Sequence, residues 1–446
     1  MSKSVRRASV HISLAAIVLG AAPCALAQAS AQRQPQGMFS SAKPDANATT
    51  RLDLTASVIE GYDSDIPLEL RPTLDPTGLQ ASGLSTIFDA AAGYSWKGAR
   101  TQVGANATST IRHYVDLGDT RSVGNSAGFG VSTRLPKQIT LAGNQAAAYS
   151  PTYLSGLFPI SSPVAPGSPG ATAPDYSVNN LASYTYTTSV SLRDDVTKRS
   201  SLAVSGDYQY TDRIRETELW RDVSSQSLRA QYSRNISQHT TVSAQYHFRY
   251  GDFGYTARTQ TSEHGLDVGF ASTKLLSPTR RVAFRFNVGV TSADVPEVIE
   301  GLNVRTRRYL GTAEGEIGYP FGRSWHVKGN YRRGIEYVVD IPEPVYSNSV
   351  FVGLDGFLER RVNLSVAGGY SSGDSLMTQG VLAYDTYTAN LRVRYGLTRQ
   401  VGAYAEYLYY FYDFREGALA PLGIPPGLKR NGVRIGMTVW MPTLRR

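Results

Sequence analysis

The stretch Val282-Ala283-Phe284-Arg285-Phe286-Asn287-Val288-Gly289-Val290 changes character at every residue. Val282, Phe284, Phe286, Val288 and Val290 are apolar, while Ala283, Arg285, Asn287 and Gly289 are small or polar. A β-strand turns successive side chains to opposite faces, so this segment has one greasy face and one wet one. Val242, Ala244, Tyr246, Phe248 and Tyr250 alternate in the same way with Ser243, Gln245, His247 and Arg249. Such alternation suits any half-buried sheet. What decides the fold is that the apolar face recurs in nearly every strand, with no second apolar face or amphipathic helix to cover it. A soluble protein does not leave so much apolar sheet in water. A barrel closed on itself in a bilayer does, with lipid outside, polar residues inside and no unpaired edge. The sequence predicts an all-β fold, a transmembrane antiparallel β-barrel, and the outer membrane of a Gram-negative bacterium as its address.

The first residues agree with that address. Lys3, Arg6 and Arg7 precede an apolar run from Ile12 to Ala22, and Ala25-Leu26-Ala27 offers small residues for cleavage. This is the order of a secretory signal peptide, and the run is too short for a membrane helix. The expected division is a signal peptide over 1–27, a flexible periplasmic leader over 28–50 rich in Ala, Ser, Gln and Pro, and a barrel over 51–446. Cys24 is the single cysteine; Pro23 before it argues against a lipoprotein signal. Cleavage after Ala27 would leave no thiol for disulfide or redox chemistry. Mean hydropathy is slightly negative, which suits a barrel with a wet interior and not a helical membrane protein. The formal charge of +9 is scattered along the chain, so a nucleic-acid surface is not expected.

Strands and connections follow in a rhythm that counts to about 18 strands, with long and short connections alternating. Long ones are expected at Tyr62–Gly83, Ser150–Asn180, Ser292–Thr306 and Phe414–Lys429, among others. Short turns are expected at Lys97–Arg100, Leu135–Lys137, Arg234–Gln238 and Gly396–Arg399. The first strand is placed at 51–61 and the last at 432–440, with Met441–Arg446 trailing as a departure from barrels that end on an aromatic residue. Tyr94, Tyr184, Tyr186, Tyr208, Tyr232, Tyr319, Tyr387, Tyr395, Tyr407 and Tyr409 fall at strand ends or in outward registers. An amphipathic ring suits the membrane–water boundary, so these are read as aromatic girdles.

The inward register is polar and of mixed charge. Arg112, Arg134, Arg193, Arg229, Arg249, Arg285, Lys328, Arg332, Arg392, Arg394 and Arg434 alternate inward, as do Asp89, Asp207, Glu263, Asp267, Glu314, Glu316, Glu336, Asp355 and Glu406. Such a lining either shapes the field of an aqueous path or pairs across strands to hold the wall. Lys328 and Arg332 with His326 share one strand face, and Arg392 and Arg394 share another. These are candidates for contacting an anionic solute, or for pairing with Glu314, Glu316 or Glu406. Tyr404, Tyr410 and Tyr412 lie inward near one rim, where they could stack on sugar rings or pack the wall. The Pro-rich segment Ser150–Asn180 reads as a lid, an inward constriction or an exposed loop. Asp63 and Asp65 form an acid pair in a loop, a weak candidate for a divalent ion beside lipopolysaccharide. No HExxH-type metal spacing occurs, no catalytic constellation stands out and no cofactor is expected, so an enzyme is not predicted.

The opening strand Leu52-Asp53-Leu54-Thr55-Ala56-Ser57-Val58-Ile59-Glu60-Gly61-Tyr62-Asp63-Ser64-Asp65, the Tyr/Arg-rich strands and the closing Asn431-Gly432-Val433-Arg434-Ile435-Gly436 carry a family likeness. On these residues the whole mature chain resembles the β-barrel porin family of proteobacterial outer membranes, often linked to capsule or exopolysaccharide export. The resemblance implies an exit channel for exopolysaccharide or capsule, with a short periplasmic polysaccharide-export protein and the polysaccharide itself as partners beside outer-membrane lipid and lipopolysaccharide. Nothing in composition or spacing shows that activity. The alternatives are a general diffusion porin for small solutes and a non-conducting structural barrel in an envelope complex. Oligomeric state is open.

Overall fold

The computed structural model describes residues 49–67, 80–115, 120–150, 183–213, 222–253, 259–277, 280–299, 302–322, 324–336, 344–377, 383–414 and 427–445. They form strands β1 (Thr50–Pro67), β2 (Gln80–Lys97), β3 (Thr101–Tyr114), β4 (Thr120–Arg134), β5 (Ile139–Ser150) and β6 (Ser183–Asp194). Next come β7 (Ser200–Arg213), β8 (Val223–Asn235), β9 (Thr240–Phe253), β10 (Thr259–Ser277), β11 (Arg280–Ile299) and β12 (Leu302–Phe321). The last six are β13 (Trp325–Glu336), β14 (Val345–Glu359), β15 (Val362–Ser375), β16 (Ala383–Gly396), β17 (Val401–Phe414) and β18 (Gly427–Arg445). The expected signal peptide, Cys24 and nearly all of the leader lie outside the described residues, as do 151–182 of the Pro-rich segment.

Each strand pairs antiparallel with its neighbour in sequence, and β18 pairs with β1 from Arg51↔Arg445 to Asp63↔Gly432. The result is a closed barrel of 18 strands. Closure matters in a bilayer because every backbone donor and acceptor of the wall finds a partner without water. No helix among the described residues is long and apolar enough to cross a membrane; the crossing is done by strands. The chain is an outer-membrane β-barrel.

The alternation read from the sequence sets which face is which. Val288 pairs with Val268 and Ala313 on the outer face, while Asn287 pairs with Gly269 and Glu314 on the inner one. Outward Leu266 is 68% exposed, a value that would be costly in water and is natural in lipid. From Val282 to Val290 the apolar face runs about 27 Å at ~3.4 Å per residue, of the order of the roughly 25 Å band these barrels present. Aromatic contacts mark both ends of it. Tyr319 stacks on Phe321 and Phe321 on Trp325 near one short turn, and Tyr370, Tyr387 and Phe411 meet near the opposite end. Tyr94, Tyr184, Tyr186, Tyr208, Tyr232, Tyr387, Tyr395 and Tyr407 are all exposed on the outer face.

Three expectations about strand limits are corrected. Ser292–Thr306 is not a loop, because the β11–β12 ladder continues to Ile299↔Leu302. Its outer face there carries Asp294, which accepts from Arg307 Nε and Nη2 at 2.7 and 3.0 Å. A charged outer face marks the end of the hydrocarbon; beyond it the inner face packs Ala293 and Val295 against Ile335 and Leu376, and backbone pairing goes on without an apolar outer face. For the same reason β1 and β2 extend to Pro67 and Gln80, well into the connection expected at Tyr62–Gly83. The last strand also outruns its expected 432–440 limits. Met441 pairs with Leu54 and Leu444 with Leu52, so the trailing residues up to Arg445 belong to the barrel's closing seam.

The expected tight turns lie at one end. Gly98 N donates to the carbonyl of Thr101, Leu135 N to that of Ile139, and Thr398 N to that of Val401. Both ends of the described chain lie there, since Lys97 N bonds Thr49 O and Trp440 N bonds Gln400 O.

Candidate pore lining

The sequence candidates on β16 and β17 sit on the inner face because their strand neighbours are apolar and face lipid. Arg392 and Arg394 alternate with Leu391 and Val393; Tyr404, Glu406, Leu408, Tyr410 and Tyr412 alternate with Ala405, Tyr407, Tyr409 and Phe411. The ladder then brings them into rows. Arg392 is opposite Glu406, which is opposite Arg434; Arg394 is opposite Tyr404, which is opposite Gly436; Tyr410 is opposite Arg430. The Tyr404 ring lies across Gly436, where a side chain would meet it at 3.0 Å.

These rows form an arginine-rich arc of wall over β16–β18 and β1–β3. Arg392 donates from Nη2 and Nε to Glu406 Oε1 at 2.6 and 3.0 Å, and Asn390 donates to the same oxygen. Its guanidinium also lies 5.4 Å from the centre of the Tyr404 ring, within reach of a cation–π contact. Arg430 Nη2 stands 2.9 Å and Arg434 Nη2 3.8 Å from Asp63 Oδ2. Arg112 on β3 donates to the hydroxyl of Tyr114 at 3.3 Å. Arg112, Arg430 and Arg434 are at most 1% exposed, and Tyr384 and Tyr412 are wholly buried. Arg112, Arg392, Arg394, Arg430 and Arg434 gather on this arc with Asp63, Asp89 and Glu406, and Asp355 bonds Asn363, which stands opposite Arg394. Charges withdrawn from water are screened little by salt, so the field of this arc reaches the lumen.

The candidates on β13 are placed differently. His326, Lys328, Asn330 and Arg332 share the inner face and are exposed. Arg332 stands opposite Glu314 in the ladder, yet its ion pair is with Glu336, at 3.5 Å along its own strand. Lys328 makes no ion pair among the described residues. Glu314, Glu316 and Arg285 on the neighbouring strands are exposed as well. The two clusters are not brought together: β13 and β16 are three strands apart, about 14 Å at ~4.8 Å per strand.

The acid pair expected in a loop is corrected. Asp63 lies in β1, turned inward and buried against Arg430, and the side chain of Asp65 lies outside the described residues. The signal was present in the sequence, because Asp63 continues the inner register of Ile59 and Gly61. Arg430 was missed for a similar reason: it precedes the expected start of the last strand. No cluster of His, Cys, Asp or Glu suited to a metal ion occurs among the described residues.

No family model and no curated protein sequence matches the chain. Among solved structures, the chain is similar to OccK2 (OpdF) of Pseudomonas aeruginosa, at 8% identity over 89% of this chain and 98% of that one, with a TM-score of 0.44. It is similar to OccAB3 of Acinetobacter baumannii, at 11% identity over 88% and 99% with a TM-score of 0.42. It is also similar to the ferric-catecholate import receptor Fiu of E. coli, at 11% identity over 90% and 82% with a TM-score of 0.40.

Proposed function

We propose that the barrel is a diffusion channel for small solutes that favours anions. The observation that carries this reading is the arginine-rich arc, where Arg112, Arg392, Arg394, Arg430 and Arg434 gather in a wall withdrawn from water. Clustered cations in a low-dielectric wall raise the local concentration of anions in the passage beside them. Lys328 and Arg332 on the solvated arc would then meet the solute directly, while Arg392 and Arg394 act through the field. Transport is passive, with the short turns towards the periplasm.

The resemblance to polysaccharide-export barrels suggests a second cargo, an acidic polymer. A polymer exit needs a broad open wall, and full burial of Arg112, Arg430, Tyr384 and Tyr412 favours the smaller cargo. Liposome swelling separates the two. Vesicles carrying the purified protein should swell faster in a small anionic sugar than in a neutral one of equal size. Absence of swelling, together with loss of surface polysaccharide in a strain lacking the gene, would overturn the reading.

A further inference from the structure

His247 on β9 faces the lumen from a bed made for it. Gly265 stands directly opposite on β10, and a side chain there would occupy the space the imidazole takes. Gly289 on β11 does the same for Asp267, its neighbour across the ladder. In that bed His247 Nδ1 lies 2.9 Å from Asp267 Oδ2, and its Nε2 lies 3.2 Å from Thr291 Oγ1. Asp267 also accepts from the Thr312 hydroxyl at 2.8 Å and from Gln245 Nε2 at 3.3 Å. Four strands, β9 to β12, meet in this one network.

The hydrogen bonds fix the tautomer. An ionised carboxylate only accepts, so the proton of a neutral imidazole must be on Nδ1, leaving Nε2 to accept from Thr291. A further proton can enter at one place, Nε2, and the Thr291 hydroxyl must then turn from donor to acceptor. The charged groups around His247 are Arg229 on β8, directly opposite in the ladder, Arg249 on its own strand, Glu263 and Asp267 on β10, and Asp207 on β7, which accepts from Ser227 opposite Arg249. Arg249 is paired with Glu263 at 3.2 Å. Beyond them Arg332 and Glu336 on β13 pair with each other. Two guanidiniums stand against three carboxylates here, so a proton added to the imidazole offsets the remaining negative charge of this arc. An imidazole is the side chain suited to such a change between pH 5 and 8.

We infer that His247 is a proton-operated element of the lumen, seated as its Nδ1–H tautomer by Asp267 and Thr291, whose protonation at Nε2 adds one positive charge to this arc of wall. Its effect on transport rests on the pore reading above; its protonation chemistry does not. Nitrogen NMR of the folded barrel in detergent, with the His247 signal assigned by His247→Gln, should show the Nδ1–H tautomer in the neutral ring and a second proton arriving at Nε2 as the pH is lowered. An Nε2–H tautomer, or a ring that takes up no second proton as the pH is lowered, would overturn the inference. Gly265→Ala should lose the tautomer signature in a barrel that still folds. In planar bilayers the reversal potential should move towards anions on acidification, and His247→Gln should remove that movement while His326→Gln keeps it. An unchanged movement in His247→Gln also overturns the inference. A membrane silent at every pH sinks the pore reading alone and leaves the NMR result to decide His247.

Discussion

Two arcs of the lumen wall carry the same residue types in the same register and hold them in opposite ways. Along β16–β18 and β1–β3, Arg430 and Arg434 are buried with Asp63, and Arg392 grips a buried Glu406. Along β12 and β13, Glu314, Glu316 and Lys328 are exposed, and the Arg332 side chain is 53% exposed although it pairs with Glu336. Alternation decides which face a charge is on; its surroundings decide whether partners or water hold it. A buried ion depends on its partner, because losing that partner leaves an uncompensated charge in a poor solvent. A solvated ion does not, because water replaces the partner at little cost.

That contrast can be broken by substitution. Asp63→Ala should cost about 3–5 kcal/mol, since it strips Arg430 and Arg434 of a buried carboxylate; the readout is the unfolding midpoint in detergent. Arg392→Met alone should fall in the same range by stranding Glu406. Arg392→Met combined with Glu406→Leu should recover most of the loss, because removing both charges removes the desolvation problem as well. A double variant no better than the single one would show that the pair is not what holds this arc.

The outer face gives a somewhat smaller effect. Val288→Arg puts a charge towards lipid and should cost about 2–4 kcal/mol near the midplane, seen as poor assembly into the outer membrane. Asn287→Arg, one residue away on the lumen side, should assemble nearly normally. Equal tolerance would reverse the assigned faces. The smallest effect belongs to the solvated arc, where Glu336→Gln should cost under about 1 kcal/mol. A loss there matching that of Asp63→Ala would erase the difference between the arcs.

The strand faces were legible in the sequence because lipid imposes period two on the outer side of each strand within its band. That constraint put Arg392, Arg394, Tyr404, Lys328 and Arg332 on the inner face before any pairing was known. It says nothing outside the hydrocarbon, which is why Ser292–Thr306 looked like a loop and Met441–Arg445 like a tail. Asp63 was misread at the same boundary: its strand was ended at Gly61, two residues before a carboxylate still in register. Nor could spacing tell that Arg392 binds Glu406 while Arg332 passes over Glu314 for Glu336. Both arginines have a glutamate directly across the ladder, and the choice between partners depends on packing that one strand's sequence does not carry. The His247 network was invisible for a related reason, since its members come from four strands.

The most direct test of the account is the reversal potential of the purified barrel in a planar bilayer under a potassium chloride gradient. The gathered arginines predict a conducting pore whose reversal potential lies on the chloride side of zero. A reversal potential on the potassium side, or a membrane that does not conduct, would contradict it.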